Sequence, residues 1–238
     1  FLRDICAAFG VADEDLVRGG RYHNLQDLSK LPNPVGKSLE QQPLAPMRVP
    51  FLDGMGSMFK AVKRRDVLLH FPYESFDYLI RFLMEAAFDP TVEEIKITQY
   101  RVAENSAVVN TLVSAAQNGK RVTVFVELKA RFDEENNLST AERMRQAGIR
   151  IIYSIPGLKV HAKVALILRK EKADGARRRD LVYLSTGNFN EKTAKIYSDM
   201  ALLTANEALV RDVDTLFALL EGRQPEPAFT HLLVARHN

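Results

Sequence analysis

The 238 residues hold a single cysteine, Cys6, so no disulfide can form within the chain. A chain without a disulfide framework suits a reducing, cytoplasmic setting. No apolar run approaches the roughly 20 residues that a membrane-spanning helix needs. No charged segment followed by an apolar one marks a secretory leader. Strong net charge is also missing: 33 Lys and Arg face 30 Asp and Glu, for a formal +3. A balance so mild does not by itself argue for a polyanionic partner, and no nucleic acid is expected. There is neither an internal repeat nor a low-complexity tract, which sets aside repeat and linker-like chains.

What is present has the make-up of a globular domain, with 46% hydrophobic and 26% charged residues. The length fits one sizeable domain, or one domain plus a piece of another. Charge is unevenly spread. Lys60, Lys63, Arg64 and Arg65 form one basic run, and Lys170, Lys172, Arg177, Arg178 and Arg179 form another. Each run is either a solvated face or a source of positive field that draws in an anionic substrate.

Residues 1–57 show no sustained periodicity, and LPNPVGKSLEQQPLAP carries four of the ten prolines, the composition of a loop or linker. A boundary is therefore expected near Met58. From about residue 66 the pattern becomes regular. Helices are predicted over 75–88 behind Ser75, over 106–118 behind Asn105 or Ser106, over 140–147 behind a Ser139/Glu142 capping box, and over 207–220 behind Asn206. Gly119, Gly148 and Gly222 end the last three. Strands are predicted over 94–100, 121–128, 149–155, 164–168, 181–185 and 200–204. Alternating strands and helices imply an α/β sheet with covering helices. The strands at 164–168 and 181–185, joined by a basic loop, would form an antiparallel hairpin and make the sheet mixed.

The segment richest in chemistry is PGLKVHAKVALIL (156–168). His161 and Lys163 are two apart, so in an extended segment they share one face. A neighbouring ammonium favours a neutral imidazole, which is nucleophilic toward phosphorus, and can itself hold a phosphate oxygen. Alone, the pair reads first as a strand-edge histidine beside a surface lysine. A second segment, LSTGNFNEKTAKIYSD (184–199), crowds Ser185, Thr186, Gly187, Asn188 and Asn190 directly after a predicted strand. Such a turn offers hydroxyls, amides and N–H groups at a sheet end, where anions are commonly bound. The other histidines are weaker candidates. His23, His231 and His237 read as solvated, His70 as packed at a strand end, and Phe71 and Tyr73 as core.

H-x-K followed by S-x-x-N resembles one half-site of the phospholipase D superfamily, in which two halves face each other and a histidine forms a phospho-enzyme. That superfamily usually has an Asp five residues after the Lys. Here the position is Leu168, which weighs against a phosphodiesterase. A closer resemblance, dense from about Asp66 to Asn206, is to the bacterial ATP-dependent polyphosphate kinases. RDVLLHFPYESF (65–76), IKITQYRVA (95–103), NGKRVTVFVELKARFDEENN (118–137), PGLKVHAKVALI (156–167) and STGNFNEKTAKIYSDMALLTA (185–205) carry it, in that order.

The resemblance implies a phospholipase D-like α/β fold, a mixed sheet flanked by helices. It implies the end of a middle domain and a Pro-rich linker over 1–57, a first catalytic domain over 58–225, and over 226–238 the start of a linker to a second catalytic half. The ends FLRDICAAFG and HLLVARHN accordingly read as cuts through a longer protein. His161 matches the phosphorylated histidine, Lys163 and Asn188 the pair that grips phosphate, and Tyr197 a nucleotide contact. Arg101 and Arg131 match positions of the family's magnesium site. A guanidinium only donates, so both arginines are expected to clamp the phosphates that carry Mg²⁺. Glu127 and Glu134 are nearby oxygen donors in sequence, although they read first as surface or salt-bridged carboxylates.

The resemblance further implies ATP, ADP and inorganic polyphosphate as substrates and Mg²⁺ as cofactor. It implies an oligomeric, cytoplasmic protein able to associate peripherally with the inner membrane. The expected reaction is reversible transfer of the ATP γ-phosphoryl group to polyphosphate through a phosphohistidine. Two alternatives stay open: a phospholipase D-like phosphodiesterase or nuclease, and a polyanion-binding module that does not turn over. The second is kept because no second H-x-K with a polar turn occurs in the chain.

Overall fold

The computed structural model describes the chain apart from 18, 21–23, 25–26, 29–30, 43, 101–105, 128–133, 154–159, 172, 177–178, 225–226 and 236–238, and apart from the side chains of 37 and 134–137. Two compact units are present, Phe1–Leu44 and Ala45–Asn238. In the first, α1 (Leu2–Phe9) ends at Gly10, in the left-handed conformation at φ 63°. Single 3-10 turns follow at Asp13–Asp15 and Gly36–Leu39. Sequence reading did not anticipate α1, and eight residues with none buried give periodicity little to work on.

The second unit runs α2 (Pro50–Met55), α3 (Met58–Arg64), β1 (Val67–Phe71), α4 (Asp77–Phe88), β2 (Val92–Gln99), α5 (Ala107–Gln117), β3 (Arg121–Val126), α6 (Glu134–Gln146), β4 (Arg150–Tyr153), β5 (Lys163–Arg169), β6 (Leu181–Ser185), β7 (Asp199–Thr204) and α7 (Glu207–Leu220). The strands form one sheet in the order β1-β7-β6-β5-β2-β3-β4. Strands β2, β3 and β4 are parallel, and the other pairings are antiparallel, including the predicted β5–β6 hairpin. The sheet is therefore mixed, as its sequence pattern predicts.

Local chemistry explains most boundaries. Ser106 Oγ accepts from Val109 N and opens α5, while Asn206 Oδ1 accepts from Ala208 N and Leu209 N and opens α7. Ser75 Oγ accepts from Asp77 N, and α4 begins at Asp77, two residues after its predicted start. Helix α6 departs further. It begins at Glu134, six residues before the predicted start, so Ser139 and Glu142 lie inside it and form no capping box. No Gly or Pro in 134–139 interrupts an earlier start. Helices α2 and α3 were not predicted. Both are short. Ser57 caps α3 locally by accepting from Lys60 N, and Glu85 of α4 adds a distant contact by accepting from Met58 N at 2.6 Å and Phe59 N at 3.2 Å. Asp53 of α2 pairs with Arg48 and Arg81.

One face of the sheet packs on α2–α6, with Leu69, Ile95, Ile97, Val124, Leu79 and Phe82 among the fully buried side chains. The other carries α7, whose Val213, Leu216, Phe217 and Leu220 meet Phe125, Val164, Leu166 and Val182. Full burial of such a side chain stabilises by roughly 1.5–3 kcal/mol. Phe71 is buried, as expected, but Tyr73 is 48% exposed and so is not core. It follows the end of β1 and leaves the sheet, where its ring meets half-buried His70 edge-on at 4.8 Å. Among the described residues, no helix is long and apolar enough to cross a membrane.

Buried Asp212 of α7 accepts from Thr230 N, His231 N and Leu232 N, and so pins the segment after α7 to that helix. Burial alone would raise its pKa, but these N–H donors outweigh burial and hold it below the usual carboxylate range. The contact therefore stabilises above the ordinary Asp pKa of about 4 and is lost as pH falls below that value. Asp212→Asn should speed hydrogen exchange at the amides of 230–232 at neutral pH by about tenfold or more, since one acceptor oxygen is lost. Unchanged exchange would show that packing alone holds the segment.

Candidate active site

Strands β5 and β7 run opposite to the rest, so one sheet edge gathers the C-terminal ends of β1, β2, β3, β4 and β6 with the starts of β5 and β7. The segment bearing His161 enters the sheet at this edge. The β2–β5 ladder stops at Ile97↔Ala165. Beyond it the Thr98 hydroxyl takes over, donating to Ala162 O at 2.7 Å and accepting from Val164 N at 3.1 Å. On the other side of His161, Val160 N donates to Glu127 Oε2 at 2.9 Å. Glu127 is 1% exposed and directly follows β3. Lys163 Nζ donates to the His161 carbonyl at 2.6 Å. Three side chains thus hold the backbone at 160, 161 and 162 while the His161 side chain stays exposed.

The Tyr100 ring meets the His161 ring edge-on at 4.9 Å and takes the Lys163 ammonium at 5.3 Å from its centroid. Lys163 is only 4% exposed. Burial, opposed by the charge of Asp199, lowers its pKa to about 8. The ammonium therefore predominates at neutral pH yet titrates within reach of it. His161 also borders an apolar cavity of about 340 Å³, shared with Val160, Leu184, Leu216, Leu220 and Leu232.

The turn after β6 stands beside this edge, because Lys163 pairs with Ser185 and Ser185 with Ala201. Most of its polar groups are engaged locally. Ser185 Oγ donates to Met200 O and accepts from Gly187 N. Thr186 Oγ1 donates to Asp199 Oδ1 at 2.8 Å. Asn190 Oδ1 accepts from Lys192 N and Thr193 N. Glu191 reaches to α5, where its Oε1 accepts from Ser106 Oγ and Val108 N. Asn188 differs: its Oδ1 is buried without a hydrogen-bond partner, and its Nδ2 donates to no described residue. Gly187 lets Asp199 close in, since a Cβ there would lie 2.6 Å from Asp199 Oδ2.

His161, Lys163 and Asn188 thus lie at the same edge of the sheet. Tyr197 lies two residues before Asp199 at that edge and is 59% exposed. Arg101 and Arg131 fall outside the described residues, as do His23, His237 and the Glu134 side chain. Glu127, expected first as a surface or salt-bridged carboxylate, is not at the surface: it is buried and accepts from Val160 N. His231 is exposed in the segment held by Asp212. Thr98, Tyr100 and Asp199 were not singled out from the sequence. All three stand where β2 ends and β7 begins, but only strand register shows what they face. Among the described residues, no group of three His, Cys, Asp or Glu side chains could hold a metal. With Glu127 on Val160 N and Asp199 on Thr186, the described residues offer no protein-built cage for the hard, oxygen-seeking Mg²⁺.

The fold matches Nuc from Salmonella typhimurium, described as a phospholipase D family member, with TM-score 0.50 and 13% identity over 71% of this chain and 99% of that one. The architecture is therefore a phospholipase D-like mixed sheet flanked by helices. Residues 57–226 match the family model described as polyphosphate kinase C-terminal domain 1. A polyphosphate kinase of Vibrio cholerae is 43% identical over 238 residues, all of this chain and 34% of that protein. The crystal structure of a polyphosphate kinase from Porphyromonas gingivalis aligns with TM-score 0.78 and 53% identity, covering 95% of this chain and 38% of that one. The chain belongs to the polyphosphate kinase family, and it spans about a third of the length of the curated relatives it matches.

The Glu127 bridge has a direct consequence for stability. Glu127→Ala should destabilise the second unit by about 1–3 kcal/mol, because Val160 N–H is then buried without an acceptor. Glu127→Gln, which keeps an acceptor oxygen, should lose less. Urea unfolding of the two variants beside the parent measures both. Equal stability of Glu127→Ala and parent would contradict the role.

Proposed function

We propose that the chain supplies the nucleophilic half of a polyphosphate kinase, with His161 as the residue that carries the phosphoryl group. The observation behind this is an exposed His161 on a hydrogen-bonded backbone, beside a buried ammonium and an Asn188 amide with no hydrogen-bond partner among the described residues. Membership of the polyphosphate kinase family supports the choice of substrate.

In the first step a ring nitrogen of neutral His161 attacks the γ-phosphorus of Mg·ATP. The bond to the bridging oxygen breaks with its electron pair, and ADP leaves. In the second step a terminal oxygen of polyphosphate attacks the same phosphorus, the P–N bond breaks, and the chain is one phosphate longer. Dividing the displacement in this way is nucleophilic catalysis. Run backward, the two steps make ATP. Charge on the transferring group is spread over its oxygens, so aligned donors supply most of the stabilisation. Lys163 and Asn188 Nδ2 are the donors we assign at this edge, with Arg101 and Arg131 as bidentate clamps on the nucleotide phosphates. Those phosphates would carry Mg²⁺, which would offset charge on the transferring group. The exposed Tyr197 ring is available to the nucleotide. ATP as donor puts the reaction in the cytoplasm. A facing second half-site completes the site in the whole protein, so residues 1–238 alone should bind polyanion without making polyphosphate. A phosphodiesterase reading is disfavoured by Leu168, an apolar residue packed beside α7 near the far end of β5.

Incubation of the whole protein, with its second half, with γ-labelled ATP should leave an acid-labile, base-stable label that disappears in His161→Ala. An acid-stable label, or one that survives the substitution, would remove His161 from the mechanism. Asn188→Ala should lower turnover about 100-fold, the loss expected for one transition-state donor. Lys163 makes a prediction about pH. Its ammonium is needed, so kcat/KM should fall as pH rises through about 8. Lys163→Arg, whose charge does not titrate, should remove that limb from whatever activity remains. A pH limb that persists in Lys163→Arg would assign it to another group.

A further inference from the structure

The sheet edge opposite His161 carries a feature that the active site does not use. Strand β5 runs from Lys163 to Arg169, which puts its far end about 20 Å away at the rise of an extended strand. There the two basic runs of the sequence become neighbours. Arg179 Nη1 donates to the Lys63 carbonyl at 3.2 Å, joining the β5–β6 loop to the end of α3. The Arg169 guanidinium lies 5.6 Å from the centroid of the Phe59 ring of α3, a second link. Lys170 N donates to Thr91 O at 2.8 Å, which fixes the start of the loop against the entry to β2. Lys60, Arg64, Arg65, Lys170 and Arg179 are all exposed along this strip.

The strip is not neutralised. None of these five side chains has a carboxylate partner among the described residues. The nearby acids are occupied elsewhere: Asp180 accepts from Arg169 N, Asp89 faces the Arg169 guanidinium, and Asp66 accepts from Thr204 Oγ1. Glu171 and Asp174 are exposed on the same loop and offset part of the charge. Lys120 has its pKa lowered mainly by burial and then by the charge of Lys170, which shows that like charges here feel one another. Several uncompensated cations in one strip make a field that attracts a flexible polyanion. Among the described residues of the strip there is no open stacking platform for bases: Phe59 is buried, and Arg65 lies over the Phe51 ring at 3.7 Å. A repeating phosphate chain without bases therefore fits better than nucleic acid.

We infer that this strip is a second docking surface for polyphosphate, one that holds the distal part of a long chain while its end lies at His161. This rests on the reading of polyphosphate as substrate. Short chains cannot reach from one edge to the other, so the strip should matter only for long ones. The test compares binding of long-chain polyphosphate, tripolyphosphate and single-stranded RNA to the full chain. It uses the parent, Lys60→Gln/Arg64→Gln/Lys170→Gln and Lys60→Glu/Arg64→Glu/Lys170→Glu, with thermal unfolding confirming that each folds. Affinity for long-chain polyphosphate should fall about tenfold in the neutral variant and further in the acidic one, with a shallower dependence on salt. Tripolyphosphate affinity and labelling of His161 by ATP should not change. Unchanged long-chain affinity would overturn the inference, and so would an equal loss for tripolyphosphate or RNA binding as tight as that of polyphosphate. Loss of the His161 label in the parent would instead count against the proposed reaction and leave the binding measurement readable.

Discussion

The whole arrangement depends on how the backbone around His161 is held. Strand β5 is antiparallel to both of its neighbours, and its ladder with β2 ends at Ile97 and Ala165, short of the residues that lead in from His161. Here the gap is closed by side chains. Glu127 takes the N–H of Val160, Thr98 takes the C=O of Ala162 and the N–H of Val164, and Lys163 takes the C=O of His161 itself. Each of these is a buried or charge-assisted bond, and buried bonds of this kind are expensive to break. The imidazole can therefore be exposed without its Cα being free to wander. For a nucleophile this matters, because reacting groups held in alignment avoid the entropy of finding it.

The rest of the fold serves that edge. The α2–α6 layer packs on one face of the sheet and buries side chains of β1, β2 and β3. Register in turn decides that Lys163, Ser185 and Ala201 lie side by side, and so that the turn at 185–190 stands next to β5. Gly187 then allows the Asp199 carboxylate close to that turn, where it ties Thr186 and biases Lys163 toward its charged form. On the other face, α7 and the segment pinned by Asp212 cover β5 and β6 and wall an apolar cavity against His161. Charge is thus arranged on one side of the histidine and apolar surface on the other.

Much of this was legible in the sequence. The buried strands advertise themselves as short runs such as RVTVFV and VALIL, and Ser106 and Asn206 cap the helices they were expected to cap. His161, Lys163 and Asn188 stood out because a polar turn follows a strand two positions from another bearing H-x-K. What escaped notice depends on contacts distant in sequence. Helices α2 and α3 are too short to show a period, and the Glu85 that accepts from Met58 N lies 27 residues beyond it. The early start of α6 left Ser139 and Glu142 with the spacing of a cap but the position of a helix interior. Glu127 looked like a surface carboxylate because nothing in its neighbourhood names Val160, 33 residues on, as its partner. Tyr73 looked like core because it follows an apolar strand, yet the chain turns outward there.

The account makes one central claim, that phosphorus is handed on twice rather than once, with His161 holding it in between. Each in-line displacement inverts the phosphorus, so two in succession restore the original configuration. The direct measurement is the stereochemical course of the full reaction, using ATP made chiral at its γ-phosphorus by isotopic oxygen and analysing the phosphate transferred to the polyphosphate end. A histidine intermediate predicts net retention. Net inversion would mean that polyphosphate attacks ATP directly, and would contradict the role given to His161.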